Sequence, residues 1–71
     1  GGAVLQRGMR GEAVRHVQQL LGVDADGLFG PGTQAAVRRF QQARGLTPPP
    51  GLEGAVGATT LAALEADAKA R

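Results

Sequence analysis

The sequence predicts an all-α protein, a small three-helix bundle in which two copies of one glycine-rich loop each lead into a helix. Three segments place apolar residues at steps of three and four, which is the spacing of a buried helix face. No alternating apolar run longer than three or four residues indicates a strand. With 71 residues the chain has room for one domain at most. We therefore expect a single domain over residues 1–71, with its core at about 4–64, linker or cloning residues at 1–3 and a helical tail at 65–71.

The first two predicted helices end in the same way. The first is expected from Glu12 to Leu21, and Gly22 after it suits a left-handed C-terminal cap. The second is expected from Pro31, a residue favoured at the first helical position, to Arg44, with Gly45 after it. The residues predicted to face the core are Val14, Val17, Leu20 and Leu21 in the first helix and Ala36, Val37, Phe40 and Ala43 in the second.

The third helix is predicted to begin near Ala58 or Thr59, with Leu61 and Leu64 facing inwards. We expect it to continue into the alanine-rich tail, where two pairs of opposite charge have i,i+4 spacing: Glu65 with Lys69, and Asp67 with Arg71. Each pair stabilises a helix by only a few tenths of a kcal/mol. Before this helix, three consecutive prolines at 48–50 predict an extended surface turn.

Composition excludes several classes of function. The chain has no cysteine, so disulfides, a cysteine nucleophile and a thiolate metal site are all excluded. The net charge of +2 is too small to indicate nucleic acid, and no apolar run approaches the ~20 residues of a membrane span. No Ser-His-Asp set, metal-ligand set or phosphate-binding loop is present. We expect no catalysis, no cofactor and no metal.

An internal repeat links the two loops. Residues 26–33 and 53–60, which are 27 positions apart, share the pattern acid-Gly-x-apolar-Gly-x-x-Thr before a helix. The first glycine gives the turn a backbone conformation that other residues resist, and the acid can accept hydrogen bonds from loop amides. The apolar residue, Phe29 or Val56, is expected to enter the core. Two such loops side by side predict a compact, ordered edge on the bundle.

The motifs together resemble the bacterial peptidoglycan-binding domain. Gly8, Gly11, Val14, Val17, Gln18 and Leu21 resemble its opening, Asp26 to Gly30 with Thr33 resembles its central motif, and Gly45-Leu46 with the second loop copy resembles its close. The resemblance covers residues 4 to 64 and implies a non-catalytic module that holds a wall-modifying enzyme on its substrate. Val17 replaces a more usual Leu, and Glu53 replaces a more usual Asp, which is expected to loosen the second turn.

Most candidate chemistry has a simpler structural interpretation. Asp26 and Glu53 suit loop-ordering acids better than a glycosidase pair, which needs a cleft that so small a chain can hardly form. His16 stands alone and lacks the three or four ligands of a zinc site. Phe29 and Phe40 are expected in the core. Because Trp and Tyr are absent, ring stacking on sugars is disfavoured, and polar capture of stem-peptide carboxylates by arginine is favoured.

The candidate ligand contacts centre on the first loop and the second helix. Gln18 and Gln41 either bridge a helix to loop backbone or line a shallow groove, and the arginines of the second helix either face solvent or contact ligand. The exposed edge around Leu28 and the two glycine-rich loops is the best candidate for a groove. The full predicted set is Gln18, Asp26, Gly27, Leu28, Gly30, Thr33, Arg38 and Gln41.

Two functions remain open on this sequence. The first is peptidoglycan binding, with the stem peptide preferred to the glycan, by a monomer that lies outside the cell or in the periplasm at the wall. Its partner enzyme would be a wall hydrolase or transpeptidase, and neither nucleic acid nor membrane is expected as a partner. The alternative is a protein-docking module on the same fold without wall affinity, which an exposed hydrophobic patch around Leu28 would favour.

Overall fold

Residues 4–71 contain three helices, in the order the sequence predicts. The computed structural model describes residues 4–71, and the expected linker at 1–3 lies outside the described residues. The helices are α1 Glu12–Leu21, α2 Pro31–Ala43 and α3 Ala58–Ala70, so α2 ends one residue before the predicted Arg44. The all-α prediction is confirmed. No helix within residues 4–71 has the length and apolar character needed to cross a membrane.

The ends of α1 and α2 confirm the predicted glycine caps. Gly22 has a φ of 77° and Gly45 a φ of 68°, the left-handed conformation that glycine adopts without a steric penalty. The amide of Val23 donates to the carbonyl of Gln18 at 3.1 Å, and the amide of Leu46 donates to that of Gln41 at 2.8 Å. These bonds close a Schellman motif at each end and satisfy carbonyls that a helix terminus leaves unpaired. The chain therefore leaves α1 and α2 in the same direction relative to each helix.

The core draws on all three helices and on both loops. It consists of Val14, Val17, Phe29, Val37, Val56 and Leu64. Leu20, Leu21, Phe40 and Leu61 are only partly buried against it. The prediction that Ala43 faces the core is wrong, because Ala43 lies about 120° around the helix from Val37 at 3.6 residues per turn and is exposed. Gln41, at about 40° from Val37, takes the inward position instead.

The N-terminal segment, residues 4–11, ties the two loops together. Leu5 and Val56 exchange two backbone hydrogen bonds of 3.0 and 2.7 Å, and Arg10 forms an antiparallel bridge with Leu28. The amide of Phe29 also donates to the carbonyl of Met9 at 2.9 Å. Both apolar loop residues are therefore fixed by backbone bonds as well as by burial, which holds the two repeated loops side by side.

Charged side chains attach the α3 tail to the other helices. Asp67 contacts both Arg44 and Arg71, and the second contact, 3.6 Å long, confirms the predicted i,i+4 pair. The guanidinium of Arg71 also donates to the carbonyl of Leu20 at the end of α1. Glu65 lies 3.8 Å from His16, so its carboxylate faces α1 rather than extending along α3 to Lys69. His16 is exposed, as predicted.

Candidate ligand-binding grooves

Gln18 connects α1 to the first loop from a buried position. Its side-chain amide nitrogen donates to the Leu28 carbonyl at 2.9 Å, to Thr33 Oγ1 at 3.0 Å and to Asp26 Oδ1 at 2.8 Å. Its amide oxygen accepts from the backbone N–H of Gly27 at 2.8 Å. Only 1% of Gln18 is exposed. We call these residues the Gln18 network; it settles the open question about Gln18 in favour of a bridge between helix and loop.

Gln41 repeats the arrangement at the end of α2. Its amide nitrogen donates to the Ala55 carbonyl at 2.9 Å and to Thr60 Oγ1 at 3.1 Å, and its amide oxygen accepts from the N–H of Gly54 at 2.9 Å. We call this set the Gln41 network. Among the described residues no buried side-chain nitrogen or oxygen lacks a partner, so both glutamines satisfy their hydrogen-bonding capacity internally.

The acids of the two loops have different partners. Asp26 Oδ1 accepts from the N–H of Leu28 at 3.0 Å as well as from Gln18. These two bonds hold the pKa of Asp26 below that of an ordinary aspartate, and the bond from the Leu28 amide has the larger effect. Glu53 instead accepts from the N–H of Gly51 at 3.0 Å, so its longer side chain turns back along the loop and away from Gln41. Both acids order loop amides, as predicted, but only Asp26 joins its glutamine network.

A groove runs beside the first loop to the start of α2. We call it the first groove; its volume is about 460 Å³, and its walls are Val23, Asp24, Asp26, Leu28, Gly30, Pro31, Gly32 and Thr33. Leu28 is 51% exposed and is the one large hydrophobic residue classed as exposed in residues 4–71. Gly30 precedes α2 without a side-chain cap, and the first turn of α2 carries no acid. The groove therefore combines an apolar side chain, two carboxylates and unpaired helix amides.

A second and larger groove lies beside the second loop. Its volume is about 560 Å³, and its walls are Gly45, Leu46, Thr47, Pro48, Pro49, Leu52, Ala55, Gly57, Ala58, Thr59 and Thr60. A separate depression of about 300 Å³ shares the walls Leu46 and Pro48 with it, and Arg38, Gln41, Gln42 and Glu53 also line this depression. We call the larger cavity the second groove and the smaller one the Arg38 depression.

The structure divides the predicted ligand contacts between two places. Asp26, Leu28, Gly30 and Thr33 line the first groove, and Gly27 lies beside them in the loop. Arg38 and Gln41 line the Arg38 depression. Gln18, Thr33 and Gln41 are buried and make internal hydrogen bonds, so they position the loops.

Sequence reasoning predicted a groove along Leu28 and the two glycine-rich loops, but it missed the walls that residues 45–49 and Leu52 add beside the second loop. It also missed the role of the N-terminal segment. The repeat contained the signal for the groove, because five wall positions of the first groove recur 27 residues later in the second. Residues 4–11 gave no strand pattern, since their pairing consists of two isolated bridges to distant loops. No group of three or more acidic, histidine or cysteine side chains suited to a metal occurs in the described part of the chain.

The fold and the grooves define a small helical binding module. A family model described as "Putative peptidoglycan binding domain" matches residues 10–64, and the chain belongs to this family. The resemblance stated from the motifs is thereby confirmed. A relative from Kitasatospora aureofaciens, described as an uncharacterized protein in the bpoA1 3' region, is 42% identical over an alignment of 62 residues. The match covers 78% of this chain. The chain matches about half (49%) of that relative's length.

Two solved structures have the same fold. The SleB N-terminal domain is 35% identical with a TM-score of 0.84, and the match covers 96% of each chain. A fused Zn-dependent amidase/peptidase/peptidoglycan-binding domain-containing protein from Clostridium acetobutylicum is 32% identical with a TM-score of 0.80. That match covers 90% of this chain and 29% of the other. In the Clostridium protein, the fold found here is thus a small part of a larger chain.

Proposed function

We propose that this protein is a non-catalytic module that binds peptidoglycan and keeps an attached wall-modifying enzyme on its substrate, with the first groove as its binding surface. The observation that carries the proposal is the family match over residues 10–64. The Clostridium protein, whose description names a peptidoglycan-binding domain fused to an amidase or peptidase, supports the role of an attached module. On this proposal the domain acts as a monomer at the cell wall, outside the cytoplasm.

The walls of the first groove favour the stem peptide over the glycan. A stem peptide presents small apolar side chains, amides and charged groups in turn. These groups complement Leu28, the unpaired amides of α2 and the two carboxylates of the first groove. Asp24 and Asp26 complement the free amine of a diamino acid in a stem peptide. A glycan is usually held by stacking on exposed aromatic rings, but the two aromatic residues here, Phe29 and Phe40, belong to or pack against the core.

Protein docking remains the competing function, and one observation bears on it. A docking surface needs a contiguous apolar patch of several hundred Å². Leu28 is the one large hydrophobic residue classed as exposed among residues 4–71, and two aspartates line the same groove. This composition favours a small polar ligand over a flat protein surface.

Co-sedimentation with purified sacculi tests the proposal. We expect the domain to pellet with intact sacculi at low salt and to remain in solution when an amidase has removed the stem peptides. A Leu28→Asp variant should lower retention while keeping its far-UV circular dichroism, and Ala13→Asp, at an exposed position of α1 that lines neither groove, provides the control. Binding that survives removal of the peptides would move recognition to the glycan. Absence of binding to either preparation would overturn wall targeting and favour protein docking.

A further inference from the structure

We infer that the second groove is a second binding site for the same polymer, and that it holds the carboxylate-bearing part of a stem peptide through Arg38. This inference rests on the proposed function and adds a second ligand contact to it. The domain would then hold two stem peptides at once, one in each groove. Nothing in the family match itself assigns a ligand to the second groove.

The repeat places equivalent residues in the two grooves. Five positions of the first groove, 28, 30, 31, 32 and 33, correspond to positions 55, 57, 58, 59 and 60 of the second. A buried glutamine fixes the loop under each groove through the same three partners, a glycine N–H, a carbonyl and a threonine hydroxyl. The backbone that forms one groove is therefore reproduced in the other, with the same rigid support.

The two grooves have different charges. The first groove is lined by Asp24 and Asp26, whereas the depression that shares Leu46 and Pro48 with the second groove is lined by Arg38 and Glu53. Arg38 is exposed and takes part in no ion pair among residues 4–71. One oxygen of the neighbouring Glu53 is directed to the amide of Gly51. Arginine pairs with carboxylate through two parallel hydrogen bonds, so Arg38 complements the acidic end of a stem peptide.

The apolar walls of the second groove complete the match. Leu46, Pro48 and Leu52 are partly buried and offer hydrocarbon surface beside the Arg38 depression. Such walls can pack against the methyl groups of alanine residues, while Arg38 donates hydrogen bonds to the carboxylate that ends the peptide. The second groove thus suits a short, apolar and anionic peptide end, and the first suits an amine-bearing one.

A single domain with two grooves gains affinity from a repeating ligand. The largest dimension of the protein is 30 Å, so the two grooves lie within that distance of each other. When one stem peptide is bound, a neighbouring peptide on the same polymer is presented to the other groove at high effective concentration. Tethering of this kind raises overall affinity by roughly 10²–10⁴ when both sites can be occupied together.

Two matched substitutions can close the grooves one at a time. Gly32 and Thr59 occupy equivalent positions in the repeat, both exposed and both in the first turn of a helix. A Cβ added to Gly32 meets no atom within 4 Å. Gly32→Glu and Thr59→Glu would obstruct their grooves while placing an acid where the helix dipole favours it, so both variants should fold. Gly32→Gln and Thr59→Gln obstruct the same grooves without adding a charge, so they separate the effect of obstruction from that of the negative charge.

The experiment titrates the 15N-labelled protein with a soluble disaccharide-peptide fragment of peptidoglycan and measures retention on sacculi in parallel. We expect amide shifts in both residues 24–33 and residues 46–60, with two fragments bound per protein. Gly32→Glu should remove the first set of shifts alone, and Thr59→Glu the second set alone. Each single variant should lower retention by roughly 10²- to 10⁴-fold, and the double variant should abolish it. Arg38→Gln should weaken the second set, and amidation of the fragment's terminal carboxylate should have the same effect.

The outcomes separate this inference from the function on which it rests. Shifts confined to residues 24–33, with Thr59→Glu retained as well as the unsubstituted protein, would overturn the second site and leave wall binding intact. Two sets of shifts that respond equally to amidation would overturn the role of Arg38. A protein that binds neither fragment nor sacculi would overturn wall binding and the second site together.

Discussion

The Gln18 and Gln41 networks make the same three backbone and threonine contacts, and both glutamines are buried, but the loop residues beside Gln18 are more exposed than those beside Gln41. Leu28, beside Gln18, is 51% exposed, whereas the equivalent Ala55 is 6% exposed. Gly27 is half-buried and Gly54 is buried. The spacing from glutamine to glutamine is 23 residues and that from acid to acid is 27, so the second loop contains four additional residues. The same loop motif therefore forms an exposed edge in its first copy and is more deeply buried in its second copy.

The additional residues explain the different acids and grooves. In the short first loop, the aspartate reaches the Leu28 amide and Gln18 together. In the longer second loop, Glu53 turns to Gly51, next to the three prolines, and the loop residues form a wall that the first groove lacks. The comparison indicates that the glutamine-glycine-threonine contacts are the required element, and that the acid and the loop length are free to vary.

The largest expected effect comes from replacing each glutamine with leucine. Gln41→Leu leaves a buried N–H, a carbonyl and a hydroxyl without partners, each costing about 1–3 kcal/mol, so we expect a loss of roughly 3–9 kcal/mol. Gln18→Leu should cost less, roughly 2–3 kcal/mol, because water can reach the Gly27 and Leu28 groups. Because the chain has no Trp or Tyr, urea unfolding is best followed by far-UV circular dichroism. An equal or larger loss for Gln18→Leu would refute the distinction between a more exposed and a more buried loop.

A smaller difference is expected between the two glycines of the repeat. Gly27 and Gly54 have φ values of 77° and 81°, so alanine at either site should cost about 1–2 kcal/mol in backbone conformation. At Gly54 the new Cβ would also lie 2.7 Å from Gln34 Cγ and 3.1 Å from the Gln34 carbonyl, whereas at Gly27 its nearest neighbour is 3.5 Å away. We expect Gly54→Ala to lose about 1–2 kcal/mol more than Gly27→Ala, because overpacking adds a penalty of that size.

A double variant tests the cause of that difference. Gln34→Ala removes the side-chain clash at Gly54 but leaves the carbonyl in place, so it should restore part of the stability lost in Gly54→Ala. The same change combined with Gly27→Ala should restore nothing, since Gln34 is not among the atoms near Gly27. Additive behaviour in both pairs would show that backbone conformation alone accounts for the two glycines.

The helices were predictable from the sequence because their signals are local. Gly22 and Gly45 mark two helix ends, and Pro31 marks a helix start, each through the backbone conformation of one residue. The burial of Gln18 and Gln41 was not predictable with the same certainty, because a polar side chain is buried only when the fold supplies its partners. Here those partners come from loops 8 to 19 residues away in the sequence.

The candidate site was only partly predictable for a related reason. The first groove follows from the motif around Leu28, which the sequence displays directly. Five wall positions of the second groove follow from the repeat, but its remaining walls depend on how Pro48 and Leu52 pack beside the start of α3, which is a tertiary arrangement without a local signal. The pairing of residues 4–11 with both loops is likewise non-local, although Gly8 and Gly11, each with positive φ, mark the turns that make it possible.

The smallest expected effect is a difference in pH dependence between the two loops, and it depends on Asp26. Hydrogen bonds from Leu28 and Gln18 lower the pKa of Asp26 in the folded protein. A carboxyl group with a lowered folded-state pKa stabilises the fold above its unfolded pKa of about 3.9, and this contribution is lost as the pH falls through the lower, folded value.

Asp26→Asn keeps an acceptor oxygen but removes the ionisation. The melting temperature of the unsubstituted protein should therefore exceed that of Asp26→Asn at pH 7, and the gap should close as the pH falls through the lowered, folded-state pKa of Asp26. Glu53→Gln, which removes the acid of the second loop, is the matched control and is measured over the same pH range. If the Asp26→Asn gap were independent of pH between 2 and 7, the charge of Asp26 would contribute nothing to the Gln18 network, and the two loops would differ only in length and burial.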